Sequence, residues 1–212
     1  MTIMFVPVGE QIKPIYEGFK HVRNIDKVYL LASNKTENYA CNIKKRIGYI
    51  YDTKIILVDP EKLDDIMEKL IDVVSENRDF AIVSNVTGGT KVMSHACYIL
   101  CSYLGGEAFY IFKRDDGSME HVEMPILKIK LNSIIEESST REKILKKLSE
   151  KDYNFLSLLA KDLRIKDSTL SALLDKLEEQ GLVHTERRGR NLKIRISKTG
   201  KILLKLRKLK NE

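Results

Sequence analysis

The sequence predicts an α/β chain in two parts: a mostly parallel sheet with helices on both faces, then a small helix-turn-helix domain with a hairpin wing. Three observations predict it. Short apolar runs alternate with helical repeats as far as residue 124, the signature of βαβ units. Beyond residue 139 the order becomes helix, helix, helix, hairpin, helix. The charge divides at nearly the same place: residues 141–212 hold 20 Lys+Arg and 10 Asp+Glu, against 17 and 20 in the rest.

The first strand covers residues 3–8 and is followed by a helical pattern over 12–23. Strands at 28–32, 54–58, 80–83 and 108–112 then alternate with helices over 37–47, 63–74 and 90–104. In the helix from residue 63, Leu63, Ile66, Met67, Leu70, Ile71 and Val74 recur at the helical repeat. Asp115-Asp116-Gly117-Ser118 is a turn into a short sixth strand over 121–124. Leu127, Ile129 and Leu131 alternate with Lys128 and Lys130, which fits an extended connector, and Ser138-Ser139-Thr140-Arg141-Glu142 is a helix start. The expected division is therefore 1–133 for the sheet domain, 134–139 for a linker and 140–212 for the basic domain. In the latter, Ile144, Leu145 and Leu148 mark the first helix, and Phe155, Leu158, Leu159 and Leu163 the second. Leu170, Leu173, Leu174 and Leu177 mark a third, capped by Asp167 or Ser168 and ended by Gly181. Strands over 182–185 and 192–196 flank Arg187-Arg188-Gly189-Arg190-Asn191, and a basic helix follows.

Bulk properties narrow the function classes. No apolar run reaches the ~18 residues of a membrane span, and the first residues read as a strand and not a leader. A cytoplasmic protein without a membrane partner is expected. Cys41, Cys97 and Cys101 are odd in number, which argues against a disulfide framework. Cys97 and Cys101 share a helix face, where burial is the expectation, and nothing nearby completes a metal site. The chain's net charge is +7, made of +10 in residues 141–212 (20 − 10) and −3 in the rest (17 − 20), which suits a polyanion partner for the second part alone.

Asn85-Val86-Thr87-Gly88-Gly89-Thr90-Lys91 follows a strand and opens a helix, which in a parallel sheet places it at the carboxyl edge. Gly88 and Gly89 let a ligand approach the backbone, and the helix N-terminus offers unpaired N–H groups and a positive dipole end to a phosphate. Thr87 and Thr90 add hydroxyls and Lys91 a cation. The competing interpretation is a tight turn with Thr90 as helix cap. Pro7-Val8-Gly9-Glu10-Gln11 ends the first strand at the same edge, with Gly9 permitting close approach and Gln11 able to meet a base or a phosphate. Ser33 and Asn34 end the second strand with two polar groups. A Walker A sequence and G-x-G-x-x-G are both missing, so the P-loop and dinucleotide classes fall.

At these residues the chain resembles the CRISPR-associated Rossmann-fold family, CARF. The resemblance rests on Val8-Gly9-Glu10-Gln11 and on residues 85–91, and spans roughly residues 1–126. With a basic winged helix behind it, the chain resembles the CRISPR-locus transcriptional regulators typical of archaea. The resemblance implies a Rossmann-like fold and a homodimer that binds a cyclic oligoadenylate, most often cyclic tetra-adenylate, across its two-fold axis. Gly9, Gln11, Thr87, Gly88, Gly89, Thr90 and Lys91 would carry that site. Many relatives carry a ribonuclease domain with Arg-x-x-x-x-His, and His21, His95, His121 and His184 all lack an arginine at that spacing. Other relatives open the ring with a lysine of the second motif and a hydroxyl of the first loop. Lys91 is present, but residues 7–11 contain no Ser or Thr, so a ring nuclease is the alternative and a non-enzyme regulator the expectation.

Residues 168–183 and Ile196-Ser197-Lys198-Thr199-Gly200-Lys201 resemble a MarR-like winged helix-turn-helix. Ser168, Thr169, Ser171, Ala172 and Lys176 lie off the leucine face of the third helix and can meet a major groove. Arg187, Arg188 and Arg190 sit at the hairpin tip and can reach phosphates or a minor groove. The expected partner is double-stranded promoter DNA. A winged helix used only for protein contacts is the alternative, which the positive charge of this part disfavours.

Overall fold

Six strands form the first sheet: β1 (Thr2–Pro7), β2 (Ile25–Ala32), β3 (Asp52–Leu57), β4 (Ala81–Asn85), β5 (Glu107–Lys113) and β6 (Met119–Met124). Their order is β3-β2-β1-β4-β5-β6; β1 to β5 run parallel and β6 returns antiparallel along β5. The structure, a computed structural model, describes residues 1–127, 134–136, 138–188 and 191–211, the side chains of Arg188, Lys210 and Asn211 excepted. The alternation expected over residues 128–131 lies outside the described residues. The chain divides into two units, Met1–Ile129 and Lys130–Glu212.

The crossovers of the first unit are α1 (Lys13–Gly18), α2 (Glu37–Ile47), α3 (Leu63–Ser75) and α4 (Lys91–Leu104). Side chains alternate along each strand, so both faces must be covered. Met4, Val6, Val28, Leu30, Val83, Phe109 and Ile111 pack with Ile15 of α1 and Ala40, Ile43 and Ile47 of α2. The intervening residues Ile3, Phe5 and Leu31 are buried too, as are Ile66, Met67, Leu70 and Ile71 of α3 and Met93, Ala96, Cys97 and Leu100 of α4. Helices thus lie on both faces, as the βαβ pattern predicts. Cys97 and Cys101 are both buried; burial raises the Cys97 thiol well above its usual value and lifts Cys101 to about 11.

One expectation is corrected here. The helical pattern over 12–23 forms a helix only as far as Gly18, and the chain continues in i→i−3 bonds from Phe19, Lys20 and His21 before Asn24 turns left-handed (φ 56°). Phe19 and Val22 still pack on the core, so burial supplies the periodicity without a full helix.

In the second unit α5 (Thr140–Glu150), α6 (Leu156–Leu163) and α7 (Asp167–Glu179) precede the hairpin of β7 (Val183–Arg188) and β8 (Asn191–Ile196), and α8 (Lys198–Asn211) follows. This is a winged helix-turn-helix. Its core gathers Ile144, Leu145 and Leu148, Leu159, Leu170, Leu174 and Leu177, Val183, Ile194 and Leu206. Among the described residues no helix is long and apolar enough to cross a membrane.

Candidate functional site

Strand order reverses between β1 and β4: β2 and β3 lie beyond one, β5 and β6 beyond the other. Loops leaving neighbouring strands in opposite directions open a crevice at their carboxyl ends, where open α/β sheets bind ligands. The two loops singled out from the sequence are the two that border this crevice, and they nest against each other. A Cβ on Gly88 would stand 2.4 Å from the Pro7 carbonyl oxygen, and one on Gly9 3.0 Å from the Gly89 nitrogen. Gly89 adopts φ +74° and has the Pro7 side chain so close that an added Cβ would lie 2.7 Å from it. Any side chain at these positions pries the loops apart.

The polar residues divide into those that build the crevice and those left open at it. Asn85, fully buried at the end of β4, accepts from the Thr87 N–H at 3.2 Å and from the Thr87 hydroxyl. The Thr87 oxygen in turn accepts the Ile111 N–H of β5 at 2.8 Å. Thr87, expected as a ligand donor, is therefore a brace between β4 and β5. Thr90 is the N-cap of α4: it accepts from the Met93 N–H at 3.3 Å and donates to the Pro60 carbonyl at 3.1 Å. Ser94 donates to the Gly88 carbonyl at 2.9 Å and fixes the glycine turn to the helix. Ser33 is buried and closes its own turn, its N–H donating to the Thr36 hydroxyl at 3.0 Å and its own hydroxyl lying 3.3 Å from the same oxygen. Both hydroxyls expected to meet a ligand at Thr87 and Ser33 are thus engaged internally.

Left open are Gln11, Asn34, Gly89 and Lys91, all exposed, with Gly9 half-buried; Thr90 is exposed too, but its hydroxyl is engaged by the cap and by Pro60. Helix geometry leaves the N–H groups of Lys91 and Val92 without intrahelical acceptors, Met93 being satisfied by the cap. An anion at this point meets backbone N–H groups, the positive end of α4 and the Lys91 ammonium. Asn85 and Ser94, which brace the crevice, are not among the residues expected from the sequence. The signal was available for Asn85, since an Asx residue two positions before a turn N–H closes such turns.

In the second unit, α7 turns Leu170, Leu174 and Leu177 inward and leaves Ser168, Thr169, Ser171, Ala172 and Lys176 exposed together. The expected cap at Asp167 or Ser168 is corrected: the N-cap is Lys166, without a side-chain cap bond, and Asp167 lies in the first turn. The reason is the tight entry, because Arg164 ends α6 in the left-handed conformation (φ 55°) with only Ile165 and Lys166 before α7. That entry exposes Lys161, Arg164 and Lys166 around the head of α7, three cations the sequence argument did not single out. Glu178 ties the wing to α7 by accepting from the Thr185 N–H at 2.7 Å and hydroxyl at 2.6 Å. Arg187 is exposed on β7. The Arg188 side chain and the whole of Arg190 lie outside the described residues.

A family model described as "HFX_2341_N:-like, N-terminal" matches residues 2–114, more than half of the chain. A second, "Bacterial regulatory protein, arsR family", matches residues 138–185. An uncharacterised protein of Archaeoglobus fulgidus is 25% identical over 195 residues, with 84% of each chain covered. Among solved structures, the transcriptional regulator BldR from Sulfolobus solfataricus is 29% identical over 37% of this chain and 59% of its own, with a TM-score of 0.33. Can2 from Sulfobacillus thermosulfidooxidans, solved in complex with cyclic tetra-adenylate, is 14% identical over 97% of this chain and 57% of its own, with a TM-score of 0.47. The chain spans less than two thirds of the length of both solved structures.

Proposed function

This chain belongs to the family described as HFX_2341_N:-like, N-terminal, and on that premise we propose that it is a ligand-responsive transcription regulator. Its organisation is a CARF-like Rossmann domain ahead of an arsR-type winged helix. In the proposed mechanism the chain is a homodimer. Two sheet domains hold one cyclic oligoadenylate across a two-fold axis, and the paired winged helices bind promoter DNA. The observation that carries the proposal is the nesting of the Gly9 loop against Gly88 and Gly89 at the point where strand order reverses, with Lys91 and the head of α4 exposed beside it. Such a crevice presents backbone N–H groups and one cation per subunit to phosphates. A ring of two-fold symmetry lets each subunit repeat the same contacts. The loop resemblance makes cyclic tetra-adenylate the first ring to test.

The winged helix reads DNA, in this proposal, through Ser168, Thr169, Ser171, Ala172 and Lys176, with Arg187, Arg188 and Arg190 on phosphates. A dimer reads two half-sites whose separation is fixed by the distance between its recognition helices, so a ligand that changes that distance changes affinity. Exposed Lys91 supports one second reading, cleavage of the bound ring, although the Thr87 hydroxyl is committed and the first loop has none.

The test is a gel shift at fixed salt with a duplex from the chain's own promoter, with and without cyclic tetra-adenylate, beside calorimetric titration of the ring itself. Coupling between such sites is typically ~5–150-fold in affinity. Unchanged DNA affinity with the ring demonstrably bound overturns the regulator. Linear product accumulating at the rate of a catalyst favours the enzyme, and Lys91→Ala then abolishes it.

A further inference from the structure

Ile135 and Ser138, ahead of α5, are held by a buried ion pair. Arg207 lies in a run of lysines on α8, yet it is only 3% exposed. Its Nη1 donates to the carbonyl oxygen of Ile135, whose side chain is buried, and its Nε stands 3.4 Å from Oε1 of Glu142 on α5. Glu142 is 5% exposed and accepts the Ser138 N–H at 2.8 Å through Oε2. Lys146 approaches Oε1 to 3.0 Å, and Ser139 caps α5 by accepting the Glu142 N–H at 3.3 Å. Two backbone groups of the incoming chain, the Ile135 carbonyl and the Ser138 amide, are thus gripped by one charge from each end of the domain.

The grip is an expensive one. Arg207 Nε and Nη2 are buried and have no hydrogen-bond partner among the described residues. A buried pair with unsatisfied donors is a poor source of stability, and apolar side chains of similar volume often do as well or better. What it does supply is position, because it holds the entering chain to α5 and α8 at once. A displacement of Ile135 or Ser138 would then bear on both helices at once.

We propose that Arg207 and Glu142 are positioning residues for the regulatory coupling: they moor the connector so that the effector signal reaches the DNA-binding unit. This rests on the proposed function, in which ligand and DNA affinities are linked. Glu142 and Arg207 are both buried within the winged-helix unit, away from the exposed residues proposed to read DNA.

The test uses the full chain with three variants: Arg207→Gln, Glu142→Gln, and the double change of Glu142 and Arg207 to Met. The double change removes both buried charges and both backbone moorings while refilling the space. The readout is the ratio of affinities for the promoter duplex with and without cyclic tetra-adenylate, alongside thermal unfolding and ring binding. The expected result for the double variant is wild-type or higher thermal stability, wild-type DNA affinity without the ring, wild-type ring affinity, and a ligand effect reduced from ~5–150-fold to about 2-fold or less. A full ligand effect in all three variants overturns the proposal by itself. Loss of ring-free DNA affinity in all three also overturns it, since the pair would then build the domain and not couple it. No ligand effect in the wild-type protein overturns the proposed function, and this inference with it.

Discussion

Thr87→Val removes one oxygen from the crevice while nearly keeping the side chain's shape. Ile111 is 1% exposed, and its N–H donates to that oxygen at 2.8 Å, so the substitution leaves a buried donor with no acceptor. An orphaned donor of this kind costs ~1–3 kcal/mol, and the lost bond to Asn85 adds ~0.5–1.5 kcal/mol. We expect a net loss of about 2 kcal/mol. For a unit the size of Met1–Ile129, each kcal/mol shifts Tm by ~3–5 °C, which gives a drop of roughly 6–10 °C. Scanning calorimetry on the full chain measures the drop, and hydrogen exchange of the peptide covering β5 assigns it to this unit. Thr87→Ser keeps the oxygen and should melt with wild type. If Thr87→Val melts with wild type and leaves exchange at Ile111 unchanged, the brace is refuted and the hydroxyl is free to serve a ligand.

Three further outcomes follow from the geometry. Gly88→Ala places a Cβ 2.4 Å from the Pro7 carbonyl, a clash that forces the loops apart at about 1–3 kcal/mol; urea unfolding reads the cost, and ring binding should be lost with it. Replacing Arg187, Arg188 and Arg190 with alanine should weaken binding to all DNA sequences and lower the salt slope by about one for each arginine on a phosphate, whereas Ser171→Ala should act on sequence preference. An unchanged slope removes the wing from the interface. Glu142 gives the pH prediction. Burial pushes its carboxyl upward, but the bonds from Lys146 and the Ser138 N–H and the charges of Lys146 and Arg207 outweigh it and hold the carboxyl low. A carboxyl lowered in the folded state stabilises above its unfolded value, near 4.5, and that contribution disappears as pH falls through the folded value. The winged helix should lose stability below about pH 4.5, and Glu142→Gln should flatten that limb of the acid titration.

Most of the fold was legible because burial writes its period into the chain. Ile66, Met67, Leu70, Ile71 and Val74 could face a sheet only as a helix, and the strands at Ile3–Val6 and Val28–Leu31 are apolar throughout because both faces are covered. Residues 19–23 show the limit of that signal: Phe19 and Val22 are packed, but the hydrogen bonding that would make them helical is not written in apolar spacing. The crevice was legible by position, since the glycines of both loops announce close approach. The division of labour among its hydroxyls was not. Whether Thr87 faces a ligand or the Ile111 amide depends on how far β5 lies from β4, which no local pattern states. Arg207 was hidden for a related reason, since a basic run reads as a solvated face until a partner from the other end of the domain is placed beside it.

The nested loops have a consequence for how such a sensor changes over generations. Gly9, Gly88 and Gly89 shape the crevice and seat its two loops against each other by the same contacts, so a lineage that discards its effector still loses stability by discarding these residues. Lys91, Gln11 and Asn34 are exposed and carry none of the buried packing. Drift in effector preference is channelled to those three positions, and a comparison of diverged sequences should find the glycines fixed beside a variable rim.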